Sequence, residues 1–184
     1  MKELDHLVIA ARTLEEGAAW VESKLGVAMD AAIGKHALMG THNRLLRLDA
    51  KRFLEVIAID PDAPAPSRPR WFALDAPAMR QRLENGPALI HWVDRTDDIE
   101  AALGTYPEEV EILPIARGPY RWRMGVPRDG RLPARGTLAT LIQWESAHPW
   151  DALPETGVSL LEFHLGQRDL RATFVTPAGT RTSP

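Results

Sequence analysis

The 184-residue chain contains no cysteine. Disulfide staples, thiolate metal centres and cysteine nucleophiles are therefore excluded, and any metal must be held by His, Glu, Asp, Gln or water. An excess of one charge is also missing: 22 basic and 25 acidic residues leave a formal net charge of -3, with no block of like charge along the chain. That balance argues against a nucleic-acid footprint and against a polybasic membrane anchor. No stretch approaches the ~20 apolar residues needed to cross a bilayer. The opening Met1-Lys2-Glu3-Leu4-Asp5-His6 carries neither the apolar region nor the small-residue cleavage site of a signal peptide, so a cytoplasmic location is expected. What remains is ordinary globular material: 45% hydrophobic residues, enough for one sizeable core or two halves sharing one.

Leu4 to Ala10 is short and rich in Leu, Val and Ile, and it reads as a buried strand. A helix follows, opened by Thr13 as N-cap with Glu16 three residues later, carrying Leu14, Ala18, Val21 and Leu25 on one stripe and ended by Gly26. Residues 43–48 and 53–59 read as a hairpin, with a weaker strand over 35–39. The run Asp60-Pro61-Asp62-Ala63-Pro64-Ala65-Pro66-Ser67-Arg68-Pro69 is the clearest break, because proline cannot donate to a ladder and restricts the residue before it. After a short helix over 76–84 the pattern restarts. A strand over 88–93 leads into a helix capped by Asp98, with Ile99, Leu103 and Tyr106 along one side. Strands follow over 111–115, 120–126 and 137–144.

The order of the second half repeats the first, and the residues support a true internal repeat. His6 precedes its N-cap Thr13 by seven residues, and His91 precedes Asp98 by seven. At this offset of 85, Leu14-Glu15 falls on Ile99-Glu100 and Ala18-Ala19 on Leu103-Gly104. Further on, residues 54–61 line up with residues 142–149 at an offset of 88, which requires a three-residue loop insertion. The repeat predicts an α+β fold of two βαβββ modules forming a cupped mixed sheet, with a C-terminal extension. The expected boundaries are 1–60 for the first module, 61–87 for a linker with a short helix, 88–149 for the second module and 150–184 for the extension.

Repetition pairs His6 with His91 and Glu55 with Gln143, four polar residues inside otherwise apolar strands. Each needs a partner, because an unpaired buried polar group costs a few kcal/mol. If a pseudo-twofold axis relates the halves, the four converge. Two imidazoles, one carboxylate and one amide oxygen form a mixed N/O set suited to a divalent metal such as Zn, Mn, Fe, Ni or Co.

The stretch Asp5-His6-Leu7-Val8-Ile9-Ala10, the capped helix and Leu25-Gly26-Val27 resemble the opening of the vicinal-oxygen-chelate superfamily. Residues 40–48, beginning Gly40-Thr41-His42-Asn43, and residues 53–58 are similar to its glyoxalase-like domain branch. The resemblance runs from Leu4 to about Pro149. It implies that the first and last strands of each module supply one metal ligand apiece, which by position marks His6, Glu55, His91 and Gln143. It also implies a metal-dependent lyase, isomerase or dioxygenase acting on a small molecule with vicinal oxygens, in a chain that can form a homodimer. Gln143 departs from the usual acidic ligand and leaves less charge and basicity; Glu145, two residues on, can compensate. Either Glu55 or Glu145 is then the base. The rival reading is a metal-free protein of the same fold that sequesters a small hydrophobic ligand. In neither reading is nucleic acid or membrane a partner.

Three further groups stand out. His42 and Asn43 can act as acid or base and orient a substrate at the pocket mouth, or can simply cap a turn. In Tyr120-Arg121-Trp122-Arg123-Met124, Arg121 and Arg123 share a face and one of them, with Arg123 the candidate beside Trp122, can clamp a substrate carboxylate, or the segment is a solvated edge strand with Trp122 packed beneath. Glu162 and His164 are two apart on a strand and read as a solvent-facing stripe, while His36 and His148 are isolated in sequence.

Overall fold

The structure is a computed structural model and describes residues 1–166 and 170–183. Both halves have the expected element order. The first comprises β1 (Glu3–Ala10), α1 (Leu14–Leu25), β2 (Gly34–His36), β3 (Thr41–Arg47) and β4 (Phe53–Ile59). The second comprises β5 (Ala88–Arg95), α3 (Ile99–Leu103), β6 (Val110–Arg117), β7 (Tyr120–Pro127) and β8 (Thr140–Trp144). Between them lies α2 (Pro77–Glu84), and after them β9 (Ser159–Leu165), β10 (Leu170–Thr176) and β11 (Gly179–Ser183).

Local chemistry accounts for the helix ends. Thr13 Oγ1 accepts from the Glu16 backbone N–H at 3.1 Å, and Gly26 closes α1 at a φ of 72°, a left-handed cap that a side chain would oppose. The Glu16 side chain does not return to Thr13 but pairs with Arg12, so half of the expected capping box forms. Asp98 caps α3 through the Ala101 N–H. That helix stops before Tyr106, where Gly104 and the restriction that Pro107 places on its predecessor disfavour another turn.

The two modules join edge to edge into one mixed sheet of order β2-β3-β4-β1-β5-β8-β7-β6. Within each module the first and last strands run parallel, β1 with β4 and β5 with β8, and the central β1–β5 pair is antiparallel. This is the signature of a pseudo-twofold axis between β1 and β5. The sheet curls far enough that its edge strands β2 and β6 touch, producing a cup. Its convex face carries Leu7, Ile9, Leu54, Val56 and Leu141 under α1 and α3. Its concave face carries Val8, Ala10, Ile57, Val93 and Ile142, partly covered by α2 and by Trp71, Phe72 and Leu74 of the linker.

The C-terminal strands form a separate sheet of order β11-β10-β9, which packs Val158, Leu160, Leu170, Ala172 and Phe174 into the convex core. Glu162 and His164 point outward and face solvent, 3.2 Å apart. No helix among the described residues is long and apolar enough to cross a membrane.

Candidate functional site

The first module builds the site on adjacent strands. Parallel pairing of β1 with β4 sets His6 beside Phe53 and Val8 beside Glu55, so His6 and Glu55 share the concave face. His6 stacks on Phe53 with ring centroids 4.4 Å apart, and its Nε2 lies 3.6 Å from Glu55 Oε2. Both are buried. Across β3, Asn43 Nδ2 donates to Glu55 Oε1 at 2.6 Å, and Arg117, reaching over from β6, donates to Asn43 Oδ1 at 2.6 Å.

Asp5 stands behind His6. Strict alternation would send neighbouring side chains to opposite faces, but the β1–β5 register slips between Leu4 and His6, leaving Asp5 as the extra residue of a β-bulge. Both side chains can therefore meet: Asp5 Oδ1 lies 2.6 Å from His6 Nδ1. Asp5 Oδ2 accepts from Trp144 Nε1 and His148 Nε2, each at 3.0 Å. Burial opposes ionisation of Asp5, but hydrogen bonds from His148 and His6 and their charge outweigh it, holding the carboxyl well below its ordinary range. An ionised Asp5 accepts a hydrogen bond from His6 Nδ1–H and leaves Nε2 facing Glu55.

The second module is built differently. His91 also lies on the concave side, opposite Val8, but beneath Phe72 and fully buried. Its Nε2 accepts the Thr140 backbone N–H at 3.1 Å, and burial lowers its pKa to about 3. Register explains Thr140: Val8 pairs with Glu55, and Val93, 85 residues later, pairs with Thr140. The single offset of 85 thus holds through β8, and the counterpart of Glu55 is Thr140 rather than Gln143. Gln143 alternates with Ile142 and Trp144 and points to the convex side. There Gln143 Oε1 accepts from the Ile99 N–H and Arg123 Nη2, each at 2.9 Å.

Other expected residues separate the same way. Arg123 and Glu145 pair with each other at 3.2 Å, and Arg123 also pairs with Glu100, all on the side of α3. His42 alternates with Asn43 and faces Asp60 outside the cup, 3.9 Å away. Asn43 and Trp122 do line the recess, with His6, Glu55, Phe53, Trp71, Phe72 and Trp144. Strand alternation is the common reason: a residue one position from a cup residue belongs to the opposite face.

Sequence reasoning missed several participants. His36 is buried in the cup, bonded to Thr41 Oγ1 and edge-on to Trp71 and Trp122, and burial, helped by the charge of Arg117, lowers its pKa to about 3. His148 both caps a turn and bonds Asp5. Trp71 and Phe72 come from the linker, where Phe72 and Ala73 adopt positive φ of 55° and 57°. The signal for Asp5 was its place next to His6; Arg117 carried none.

The resemblance read from sequence implies a divalent metal held by His6, Glu55, His91 and Gln143. His6 and Glu55 could supply two ligands, but His91 Nε2 is committed to Thr140 and the fourth corner holds a threonine hydroxyl. Among the described residues no three His, Cys, Asp or Glu side chains cluster as an ion would require. The four-ligand centre expected from sequence does not fit this donor set.

The inner recess is small, about 30 Å³, or room for roughly two waters. It shares Asn43, Leu45, Arg117 and Pro149 with an outer cleft of about 300 Å³ whose wall includes Ile33, Gly34, Tyr120 and Leu153.

Comparison with known proteins agrees with the architecture. A hypothetical protein from Staphylococcus aureus is similar over 99% of this chain and 84% of its own, at 13% identity and a TM-score of 0.56. Methylmalonyl-CoA epimerase from Mycobacterium tuberculosis is similar over 81% and 91%, at 19% identity and a TM-score of 0.48. A Streptomyces coelicolor methylmalonyl-CoA epimerase in complex with 2-nitronate-propionyl-CoA is similar over 79% and 96%, at 16% identity and 0.49. At 13% identity the likeness to the Staphylococcus aureus protein concerns the fold. No curated protein matches the chain. The sequence model of the glyoxalase-like domain matches residues 4–176, past Pro149 where the resemblance read from sequence stopped and into the C-terminal sheet. With nearly its whole length so matched, the chain belongs to the glyoxalase-like domain family.

Proposed function

We propose that this protein is a small-molecule enzyme of the isomerase or lyase type, which moves a proton on a substrate bearing vicinal oxygens, with Glu55 and His6 as the proton-handling pair. The observation that carries the reading is the line Asp5–His6–Glu55 at the floor of the cup. A buried carboxylate fixes the imidazole, whose Nε2 faces a second carboxylate 3.6 Å away. Asn43 holds one Glu55 oxygen and leaves Oε2 beside His6 in the lining of the recess. In the step envisaged, Glu55 takes a proton from a carbon beside a carbonyl, and the C–H electron pair passes to the carbonyl oxygen. The proton then returns to the same or the neighbouring carbon, with no oxidant consumed. The donor set supports this over a metal-dependent lyase, isomerase or dioxygenase, since only half of a four-ligand site is in place.

A specific observation favours a second reading. Phe53, Trp71, Phe72, Trp122 and Trp144 line the recess at the inner end of the outer cleft, and the aromatic recess and the cleft of about 300 Å³ together suit a protein that binds an apolar ligand without transforming it. One experiment separates the two. Small ketones, aldehydes, esters and oxoacids are incubated with the protein in D2O, and deuterium incorporation beside the carbonyl is followed by proton NMR. Incorporation that falls at least 100-fold in both Glu55→Gln and His6→Gln supports the enzyme. Saturable binding in the cup without exchange supports the binder, and exchange that survives both substitutions overturns the assigned pair.

A further inference from the structure

Arg117 is a cation that the fold brings to the cup without giving it an anion. It ends β6 at the sheet edge, crosses to the first module and donates through Nη1 to the neutral Asn43 side chain. Among the described residues no carboxylate lies within ion-pair distance of it. Tyr120 lies 5.5 Å from the guanidinium, and burial works against the charge. Space for the side chain exists because residue 34 is glycine: a Cβ there would overlap Arg117 Nη1 and Asn43 Oδ1. A second observation points to an absent acceptor. Trp71 and Trp122 are both buried beyond nine-tenths and both line the recess, and neither indole N–H has a hydrogen-bond partner. Arg117 itself borders both the recess and the outer cleft.

We propose that Arg117 binds the carboxylate of an organic monocarboxylic acid, whose apolar body lies in the outer cleft. This rests on the reading of the cup as the substrate site and names the substrate class. The remaining guanidinium N–H groups make charge-assisted hydrogen bonds to the carboxylate, stronger than those a neutral amide would receive. The indole N–H groups of Trp71 and Trp122 donate to a ligand oxygen at the recess. Ile33, Pro119, Tyr120 and Leu153 pack the apolar body. One asparagine separates Arg117 from Glu55, so an acid anchored at Arg117 presents a nearby carbon to the proton-handling pair.

The test uses hexanoate and benzoate against hexanamide and benzamide, with binding read by tryptophan fluorescence and by broadening of the probes' NMR lines. The acids are expected to bind at least tenfold more tightly than the matched amides. Arg117→Met should lose at least tenfold for the acids and little for the amides, while Arg128→Met, on the exposed surface, should bind like the parent. Gly34→Ala keeps the charge but fills its berth, and should show the same selective loss; it carries the test if Arg117→Met fails to melt cooperatively. Equal affinity for acids and amides, no binding of either acid, or full acid binding in a folded Arg117→Met or Gly34→Ala variant overturns the proposal. Glu55→Gln should keep acid binding. Exchange of neutral carbonyl compounds without acid binding would therefore sink this inference alone, whereas acid binding through Arg117 without Glu55-dependent exchange would sink the catalytic reading alone.

Discussion

Three buried histidines meet the cup, and their surroundings assign them different work. His6 has a carboxylate on either side, whereas His36 and His91 have none and are held neutral by burial, with pKa values near 3. Both become protonatable near their ordinary pKa once the chain unfolds, so between pH 6.5 and 3 the unfolded state binds more protons than the folded one. Stability should thus be fully present above pH 6.5 and fall as pH drops toward 3, by up to about 1.4 kcal/mol per pH unit for each residue. Urea denaturation of a His36→Gln, His91→Gln double variant at several pH values should show that slope reduced. An unchanged slope would mean that neither group is held neutral. The same scale explains why Asp5 escaped notice: alternation places it opposite His6, and only the bulge turns the two together.

Among the elements, α1 is seated by an absence. Gly17 lies on its buried stripe, and a Cβ there would fall well inside contact distance of Val56 Cγ1 on β4 and close to the Ala11 side chain. Alanine is the better helix former by roughly 1 kcal/mol, but forcing a methyl into a packed interface typically costs 1–3 kcal/mol. Packing should win, because Val56 is β-branched and buried and cannot turn aside. Gly17→Ala is expected to lower stability by about 1–2 kcal/mol in chemical denaturation, and a stabilised variant would show that α1 sits further from the sheet. The parallel β1–β4 and β5–β8 pairs do related work for the site. Their shared register fixes Thr140 as the partner of His91 and removes Gln143 from the cup.

At the scale of the whole molecule, the C-terminal sheet shares a core with the repeat. Val158, Leu160, Leu170, Ala172 and Phe174 sit in the same core as α1 and the convex face of the central strands, so the segment is a cover for that face. Removing everything after Gly157 would uncover an apolar surface beneath Leu54, Leu89 and Trp92. The truncated chain should lose its cooperative thermal transition and bind a hydrophobic dye. A sharp transition close to that of the full chain would show instead that the two modules form a self-sufficient domain.

What the sequence determined by itself was everything governed by local chemistry and by repetition. Hydrophobic runs, the caps Thr13 and Asp98, Gly26 and the proline-rich break place the elements, and the His6–His91 offset of 85 predicts two modules about a pseudo-twofold axis. His6 and Glu55 were legible because polar residues interrupt apolar strands, Asn43 through the stretch Gly40-Thr41-His42-Asn43, and Trp122 through the aromatic and basic alternation of residues 120–124. The composition of the site was decided only in three dimensions. A one-residue change of register moves a side chain to the other face of a sheet, so a three-residue error in the offset was enough to exchange Thr140 for Gln143. A bulge added Asp5, a linker residue at positive φ helped bring in Trp71, and the curl of eight strands carried Arg117 across from the far edge to Asn43. Residues separated by 74 positions meet there because the sheet closes on itself, a distance that no local pattern encodes.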